Sequence, residues 1–369
     1  MPKILILCSK TGGGHVSLAE ALRDQLAQHF AVEIVDPQPR VIHWHYRLVS
    51  RHALWLWAAE FKGGDTPGRS LFVHKMSAAF FAPNVAGLLR RTQPDLVIST
   101  YPFLTYEVVQ AMKASGVRRP FVMLFADPNG VHHAWLTERE AAATFAPTRE
   151  TYAQALAAEF APERLHLTGW PVRGQFYRCH EAARAETLNR LGLRPDRFTV
   201  FLQGGGEGAA RIARTVENLL PVPGIQIILA VGTNKALAER FTMVHNLRPV
   251  AFTKEIAPFM AAADVVMGKA GPNMLFESVT LSKPFIATAY IPGQEEANLE
   301  FIRRHQLGWV ALTAAEQREL VQALATDPRQ LQTMAESVNC YRRWNTEARE
   351  TILPLMKAVA EGSDGWHVL

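Results

Sequence analysis

The sequence predicts an α/β protein built from two doubly wound domains that face each other across a cleft. Three observations predict it. Its 369 residues exceed what one ordinary core serves and suit two domains of about 150–200 residues each. Strand-like and helix-like runs alternate almost from end to end, the pattern of parallel sheets covered by helices. The chain also opens the same way twice, with a strand, a glycine cluster and a helix. The expected boundaries are 1–192 for the first domain and 198–340 for the second. A helical tail, 341–369, is expected to pack back on the first domain.

The elements follow in order. Residues 3–9 read as a buried strand, Thr11-Gly12-Gly13-Gly14-His15 as a tight turn, and 16–29 as a helix. Strands are expected at 32–36, 96–100, 121–127 and 143–147, with helical segments between them. Residues 168–173 form a Gly/Pro turn, and the LRPDR run at 193–197 is the candidate linker. The second domain begins with a strand at 198–203 that runs into Gly204-Gly205-Gly206-Glu207-Gly208. Strands at 225–231, 264–267, 284–290 and 309–312 then alternate with helices. In such sheets ligands gather at the carboxyl ends of the strands, beside helix N-termini.

Composition narrows the class. With 48% hydrophobic and 20% charged residues the chain is globular rather than disordered. Cys8, Cys179 and Cys340 lie far apart with no CxxC pair, which argues against a disulfide framework or a zinc site and fits a reducing compartment. The opening apolar run is too short for a signal peptide, and no later stretch reaches the roughly 18 apolar residues of a spanning helix. A cytoplasmic protein is expected. The net charge of +5 is uneven, because residues 39–91 carry 8 basic side chains against 2 acidic ones. Such an excess favours an anionic surface.

Glycines after a strand let the backbone approach a ligand, and the helix that follows favours negative charge. Neither glycine loop fits the dinucleotide or phosphate-loop fingerprint. Each, taken singly, is equally a plain tight turn. Residues 269–277, Lys-Ala-Gly-Pro-Asn-Met-Leu-Phe-Glu, say more. Gly271 and Pro272 start a helix whose open N–H groups suit a diphosphate, and Glu277 can accept both hydroxyls of a ribose. Its plain alternative is a capped helix with a solvated carboxylate.

These residues carry a resemblance. Residues 253–300, with KAGPNMLFE, Lys283-Pro284 and the IPGQEEAN run at 291–298, resemble the donor-binding segment of a family of GT-B glycosyltransferases. That family includes monogalactosyldiacylglycerol synthases, processive diacylglycerol glucosyltransferases and the lipid II-forming N-acetylglucosaminyltransferase. Gly12–His15 with Ala19-Glu20-Ala21-Leu22 resembles the opening of the diacylglycerol branch. Asp127, His132 and Trp135 fall on its TDxxxxHxxW pattern, with Ala126 in place of Thr. Gly169, Pro171 and Arg173 match its GxPxR turn, and Gly232 with Asn234 its GxN. Val16 and Asn273-Met274 are further departures.

The resemblance implies two Rossmann-like domains, the first for acceptor and membrane and the second for a UDP-sugar. It places Glu277 on the ribose, and Gly271, Pro272, Asn273, Arg173 and the Gly204, Gly205, Gly206, Glu207 loop around the diphosphate. Gln294 and Glu295 would contact the sugar, with Phe252, Thr253, Gly232 and Asn234 on the donor side. Gly13, Gly14, His15, Asp127, His132 and Trp135 would face the acceptor. Either His15 or Asp127 is the base, and the residues leave that open. The bland alternatives are a structural His15 and an Asp127 that only caps its turn. His133 is expected to be a bystander. No Asp-x-Asp pair stands at a strand end, so neither a metal nor another cofactor is expected. Inversion at the anomeric carbon is implied.

Residues 40–81 interleave Arg47, Arg51 and other basic residues with Trp44, Trp55, Trp57 and several phenylalanines. Rings with basic neighbours suit a segment lying in the headgroup layer, although the same rings also fill interiors. No nucleic-acid motif accompanies them. The expected partners are a UDP-sugar, a lipid acceptor and an anionic membrane, at the inner face of the plasma membrane. Hexose transfer to diacylglycerol is the first expectation. Transfer of N-acetylglucosamine to a polyprenyl-diphosphate-linked or lipopolysaccharide-like acceptor is the alternative. A UDP-sugar 2-epimerase and a non-catalytic nucleotide or lipid sensor stand further off.

Overall fold

A computed structural model describes residues 1–362 apart from 12, 40, 45–47, 50–52, 180–183 and 204–208, and apart from the side chains of residues 54, 57 and 209–211. The chain divides into two compact units. One comprises Met1–Arg173, Pro292–Ala297 and Trp344–Leu369, the other Gly174–Ile291 and Asn298–Arg343.

The N-terminal unit holds a six-stranded sheet of β1 (Lys3–Leu7), β2 (Ala31–Val35), β3 (Leu96–Ser99), β4 (Phe121–Leu124), β5 (Ala143–Ala146) and β6 (Leu165–Leu167). The order is β2-β1-β3-β4-β5-β6, and every pair is parallel. Helices cover both faces of such a sheet, so central strands read as apolar runs. Ile4, Leu5, Ile6 and Leu7 are all fully buried. The helices that matter for the site are α1 (Gly14–Leu26), α2 (Leu54–Gly64), α3 (Pro67–Thr92), α4 (Tyr106–Ser115), α5 (His133–Leu136) and α6 (Arg149–Ala157). On α1 the buried residues Leu18, Ala19, Leu22 and Leu26 repeat at helical spacing and face the sheet. Proline stands in the first turn of α3, where its missing N–H costs nothing.

The second unit repeats the plan with β7 (Phe198–Gln203), β8 (Ile225–Gly232), β9 (Leu247–Ala251), β10 (Val265–Lys269), β11 (Phe285–Ala289) and β12 (Gly308–Val310), in the order β12-β11-β10-β7-β8-β9. Its relevant helices are α7 (Lys235–Phe241), α8 (Pro272–Thr280) and α9 (Pro328–Arg349). Val200, Leu202, Ile227, Leu229, Val265 and Met267 form the centre of its core.

In each sheet the winding direction reverses once, between β1 and β3 and again between β7 and β10. The crevices outside the carboxyl ends of those strands are where ligands bind in open α/β sheets. His15 follows the first of these strand ends, and Ala270 and Gly271 follow β10.

The units divide at Arg173/Gly174, ahead of the expected linker at 193–197, and two later segments group with the N-terminal unit. At Trp344 the chain of α9 passes into that unit. Asn345 holds the backbone of Trp170 from both sides, accepting its N–H at 2.7 Å and donating to its carbonyl at 3.0 Å. Gly169, at φ +66°, permits this approach, since a Cβ there would meet the Asn345 carbonyl oxygen at 2.6 Å. Among the described residues, no helix is long and apolar enough to cross a membrane.

Candidate active site

One group of candidate residues lies at the switch point of the N-terminal sheet. Gly13 takes a left-handed conformation (φ 76°) to turn the chain from β1 into α1. His15, in the first turn, sets its Nδ1 2.6 Å from the carbonyl oxygen of Thr100, the residue just past β3. A carbonyl only accepts, so Nδ1 carries the proton and Nε2 keeps the lone pair. Burial pushes the imidazole pKa down to about 4, partly countered by the Thr100 bond. The ring is therefore neutral across the physiological range. Tyr101 packs edge-on against it with centroids 4.9 Å apart.

Asp127 follows β4 by three residues. The indole Nε1–H of Trp135 donates to its Oδ2 at 3.0 Å. Burial raises its pKa to about 7; the nearby charge of Asp65 adds to the rise, and N–H donors from Trp135 and His132 oppose it. The carboxyl is thus poised to change charge near neutral pH. β3 lies between β1 and β4, so with strands about 4.8 Å apart their carboxyl ends are roughly 10 Å apart. His15 and Asp127 occupy the same edge at two separate points.

His132 and Trp135 are both buried, at 6% and 1% exposure, and engage protein groups. Nδ1 of His132 accepts the Ala134 N–H at 3.0 Å, which caps α5 and leaves Nε2–H to donate to the Phe61 carbonyl at 3.0 Å. Both side chains, expected to face the acceptor, make these hydrogen bonds within the N-terminal unit. His133, expected to be a bystander, is engaged too. Its backbone N–H and its Nδ1 both meet Oδ1 of Asp65, at 2.9 and 2.8 Å. Burial alone would raise the Asp65 pKa, but these contacts outweigh it and hold the carboxylate below its usual range.

The segment carrying Gln294 and Glu295 groups with this same unit. Asn129 donates from Nδ2 to the Ala297 carbonyl at 3.1 Å. Gly293 (φ +84°) lies against Phe61 of α2. Oε1 of Gln294 is buried with no hydrogen-bond partner among the described residues, and Glu295 is 4% exposed. A buried amide oxygen lacking a donor carries a desolvation cost that a ligand hydroxyl can relieve. Arg173, half-buried, ends the unit's first segment.

A separate group of candidate residues lies at the switch point of the other sheet. β10 and β7 approach so closely that a Cβ on Gly268 would meet the Gln203 carbonyl oxygen at 2.3 Å. The chain then turns at Ala270, whose carbonyl accepts from Asn298 Nδ2 at 2.8 Å. Gly271 is the N-cap of α8, Pro272 its first residue, and no side chain caps it. Asn273 and Glu277 share a face, four residues apart. Glu277 is 7% exposed, a buried carboxylate one turn inside a helix start.

Beside them Gly232 takes φ +57°, and its carbonyl accepts the Phe252 N–H at 2.8 Å. The Phe252 ring is exposed. Asn234 caps α7, its Oδ1 accepting the Leu237 N–H at 3.0 Å, and the Thr253 hydroxyl accepts the Glu255 N–H. Both side chains are thus engaged locally. Gly204, Gly205, Gly206, Glu207, Arg47, Arg51 and the Trp57 side chain lie outside the described residues. Trp44 (59%) and Trp55 (74%) are exposed.

Sequence reasoning missed Thr100, Tyr101, Asp65 and Asn129. Thr100 alone carried a signal, as the end of the strand expected beside the first switch point. Among the described residues no group of three or more His, Cys, Asp or Glu is arranged to hold a metal ion.

Two family models match the chain. Residues 15–172 match the model of monogalactosyldiacylglycerol (MGDG) synthase, and residues 199–342 that of the glycosyltransferase family 28 C-terminal domain. A probable monogalactosyldiacylglycerol synthase 2, chloroplastic, from Oryza sativa subsp. japonica is 30% identical over 329 residues, covering 81% of this chain and 68% of that protein. Monogalactosyldiacylglycerol synthase 3 of Arabidopsis thaliana is 28% identical over 346 residues, covering 86% and 73%. Among solved structures, Anabaena Alr3699/HepE in complex with UDP and glucose is similar at a TM-score of 0.60 and 15% identity, over 97% of this chain and 100% of that one. MurG of Acinetobacter baumannii is similar at 0.61 and 17%, over 96% and 99%. Both likenesses are of fold, and two parallel sheets with flanking helices are the GT-B architecture.

Proposed function

The chain belongs to the monogalactosyldiacylglycerol synthase family of glycosyltransferases, and from that premise we propose that it moves a hexose from a UDP-sugar to diacylglycerol in a membrane. The observation that carries this reading is the pair at the N-terminal sheet edge: a neutral His15 with a free Nε2 lone pair, and Asp127 with its pKa near 7.

Asp127 takes the proton of the acceptor hydroxyl, because a base near 7 suits cellular pH better than one near 4. His15 accepts a hydrogen bond from that hydroxyl through Nε2 and orients it. The hydroxyl oxygen attacks the anomeric carbon as the bond to UDP breaks, with inversion. The start of α8 and Arg173 stabilise the departing diphosphate without a divalent metal. Glu277 holds the ribose, and Gln294 and Glu295 read the sugar. Its unpartnered oxygen suits Gln294 to that role.

The lipid side is supported by exposed apolar side chains. Phe72 (64%), Met76 (50%) and Phe80 (68%) recur every four residues along α3, with Trp55 on α2. Such a stripe beside Arg69 and Lys75 suits peripheral binding to an anionic surface, the inner face of the plasma membrane.

The test is transfer from radiolabelled UDP-galactose, UDP-glucose or UDP-N-acetylglucosamine into mixed lipids. Label from a UDP-hexose should enter the organic phase on diacylglycerol. Label only from UDP-N-acetylglucosamine, or release of free sugar with none in lipid, would overturn the assignment.

A further inference from the structure

Behind Asp127 lies a buried pair that the transfer reaction does not touch. His74 on α3 and Glu107 on α4 are both fully buried. Nδ1 of His74 is 2.9 Å from Oε1 of Glu107, and Nε2 is 2.9 Å from the carbonyl oxygen of Ala134 in α5. The carbonyl only accepts, so Nε2 carries a proton and donates it. The Ser77 hydroxyl donates to the same Glu107 oxygen, which marks that oxygen as an acceptor facing His74. The imidazole thus bridges three helices: its own, α4 through Glu107 and α5 through Ala134. Phe103 and Tyr106 wall the ring at centroid distances of 5.3 and 5.7 Å. Ser70, one turn earlier on α3, adds a contact to Thr137 at 3.2 Å.

The residue after Ala134 is Trp135, whose indole holds Asp127 at 3.0 Å. α5 is only four residues long, too short to keep its own geometry. It is held at its start by the His132 cap and the His133–Asp65 contacts, in its middle by the His74 bond and just past its end by Ser70 on Thr137. We propose that His74, held by Glu107, is a positioning residue for the transfer reaction: it anchors α5 so that the Trp135 indole stays on the Asp127 carboxyl. The proposal rests on the reading of Asp127 as the proton acceptor. The charged and titratable groups around this chain of contacts are Asp65 and His132 beside Asp127, His133 on Asp65, and Glu107, Tyr106 and His132 beside His74.

The test follows the indole N–H signal of Trp135 by NMR in the full-length protein labelled with ¹⁵N-tryptophan, assigned by Trp135→Phe. In the native protein the signal should titrate with a midpoint near 7, following Asp127. Glu107→Gln keeps a partner for Nδ1 and the bond to Ala134, so its midpoint should be native. The double variant His74→Phe/Glu107→Leu removes both polar groups together and leaves no unpaired buried charge. Its midpoint should move by about 0.5 unit or more, and kcat should fall roughly 10- to 100-fold with KM for the UDP-sugar unchanged.

Should the double variant not fold, His74→Asn gives the same readout, because its shorter amide reaches Glu107 and not Ala134. An unmoved midpoint in a folded variant overturns the proposal, whether or not kcat falls. Asp127→Asn separates the two readings. If the indole still titrates near 7 in that variant, or transfer keeps its native rate, the role given to Asp127 fails first.

Discussion

Replacing Phe72 and Phe80 by serine tests the membrane face. The two rings sit eight residues apart on one side of α3, about two thirds exposed, at 64% and 68%. A phenylalanine offers roughly 150–200 Å² of burial, so each ring presents roughly 100–130 Å² to solvent. Full transfer of that area from water gives about 2.5–3 kcal/mol at 25 cal/mol per Å². Immersion to half depth in the headgroup boundary halves it, to about 1.3 kcal/mol per ring. The double substitution should therefore cost about 2.5 kcal/mol of binding, a drop of roughly 50- to 100-fold in partition. Sedimentation with vesicles containing phosphatidylglycerol measures it. UDP affinity and melting temperature serve as controls, since neither ring supports the core. Partition unchanged within about twofold would refute the assignment of this stripe to lipid.

Further predictions follow from the site and the packing. Glu277→Ala should weaken UDP binding by about 10- to 100-fold, the loss of one charge-assisted contact of roughly 1.5–3 kcal/mol, and calorimetry reads it directly. Gly169→Ala forces a side chain into a left-handed backbone against the Asn345 carbonyl. It should cost about 2 kcal/mol or more and lower the melting temperature by several degrees. Asp127→Asn has a pH signature. The folded pKa, about 7, lies above the ordinary 3.8, so stability is full below the ordinary value and is lost as pH rises through 7. The variant should match the native protein near pH 4 and exceed it at pH 8 by about 1–3 kcal/mol. An equal difference at both pH values would remove the perturbed carboxyl from the account.

Most of the architecture was legible because buried parallel strands leave an unmistakable apolar run, as Ile4–Leu7 and Val265–Met267 do. Two strands were not. β6 is only three residues long and β9 carries Arg248 and Pro249; both lie at sheet edges, where one side needs no partner and proline is tolerated. The edge strands β2 and β12 were legible through their apolar and β-branched residues, whereas His166 in β6 and Arg248-Pro249 in β9 interrupt that run.

The site divides in the same way. By itself the sequence determined the turn at Gly13, the helix start at Gly271–Pro272 and the family likeness, because each depends on neighbours along the chain. Only the tertiary structure decided the rest. It joined Pro292–Ala297 to the N-terminal unit, turned Trp135 inward onto Asp127 and tied His15 to Thr100 across 85 residues. The physical reason is that proton affinity and tautomer are set by burial and by hydrogen-bond partners, and those partners come from strands and helices that meet only once the sheet is wound.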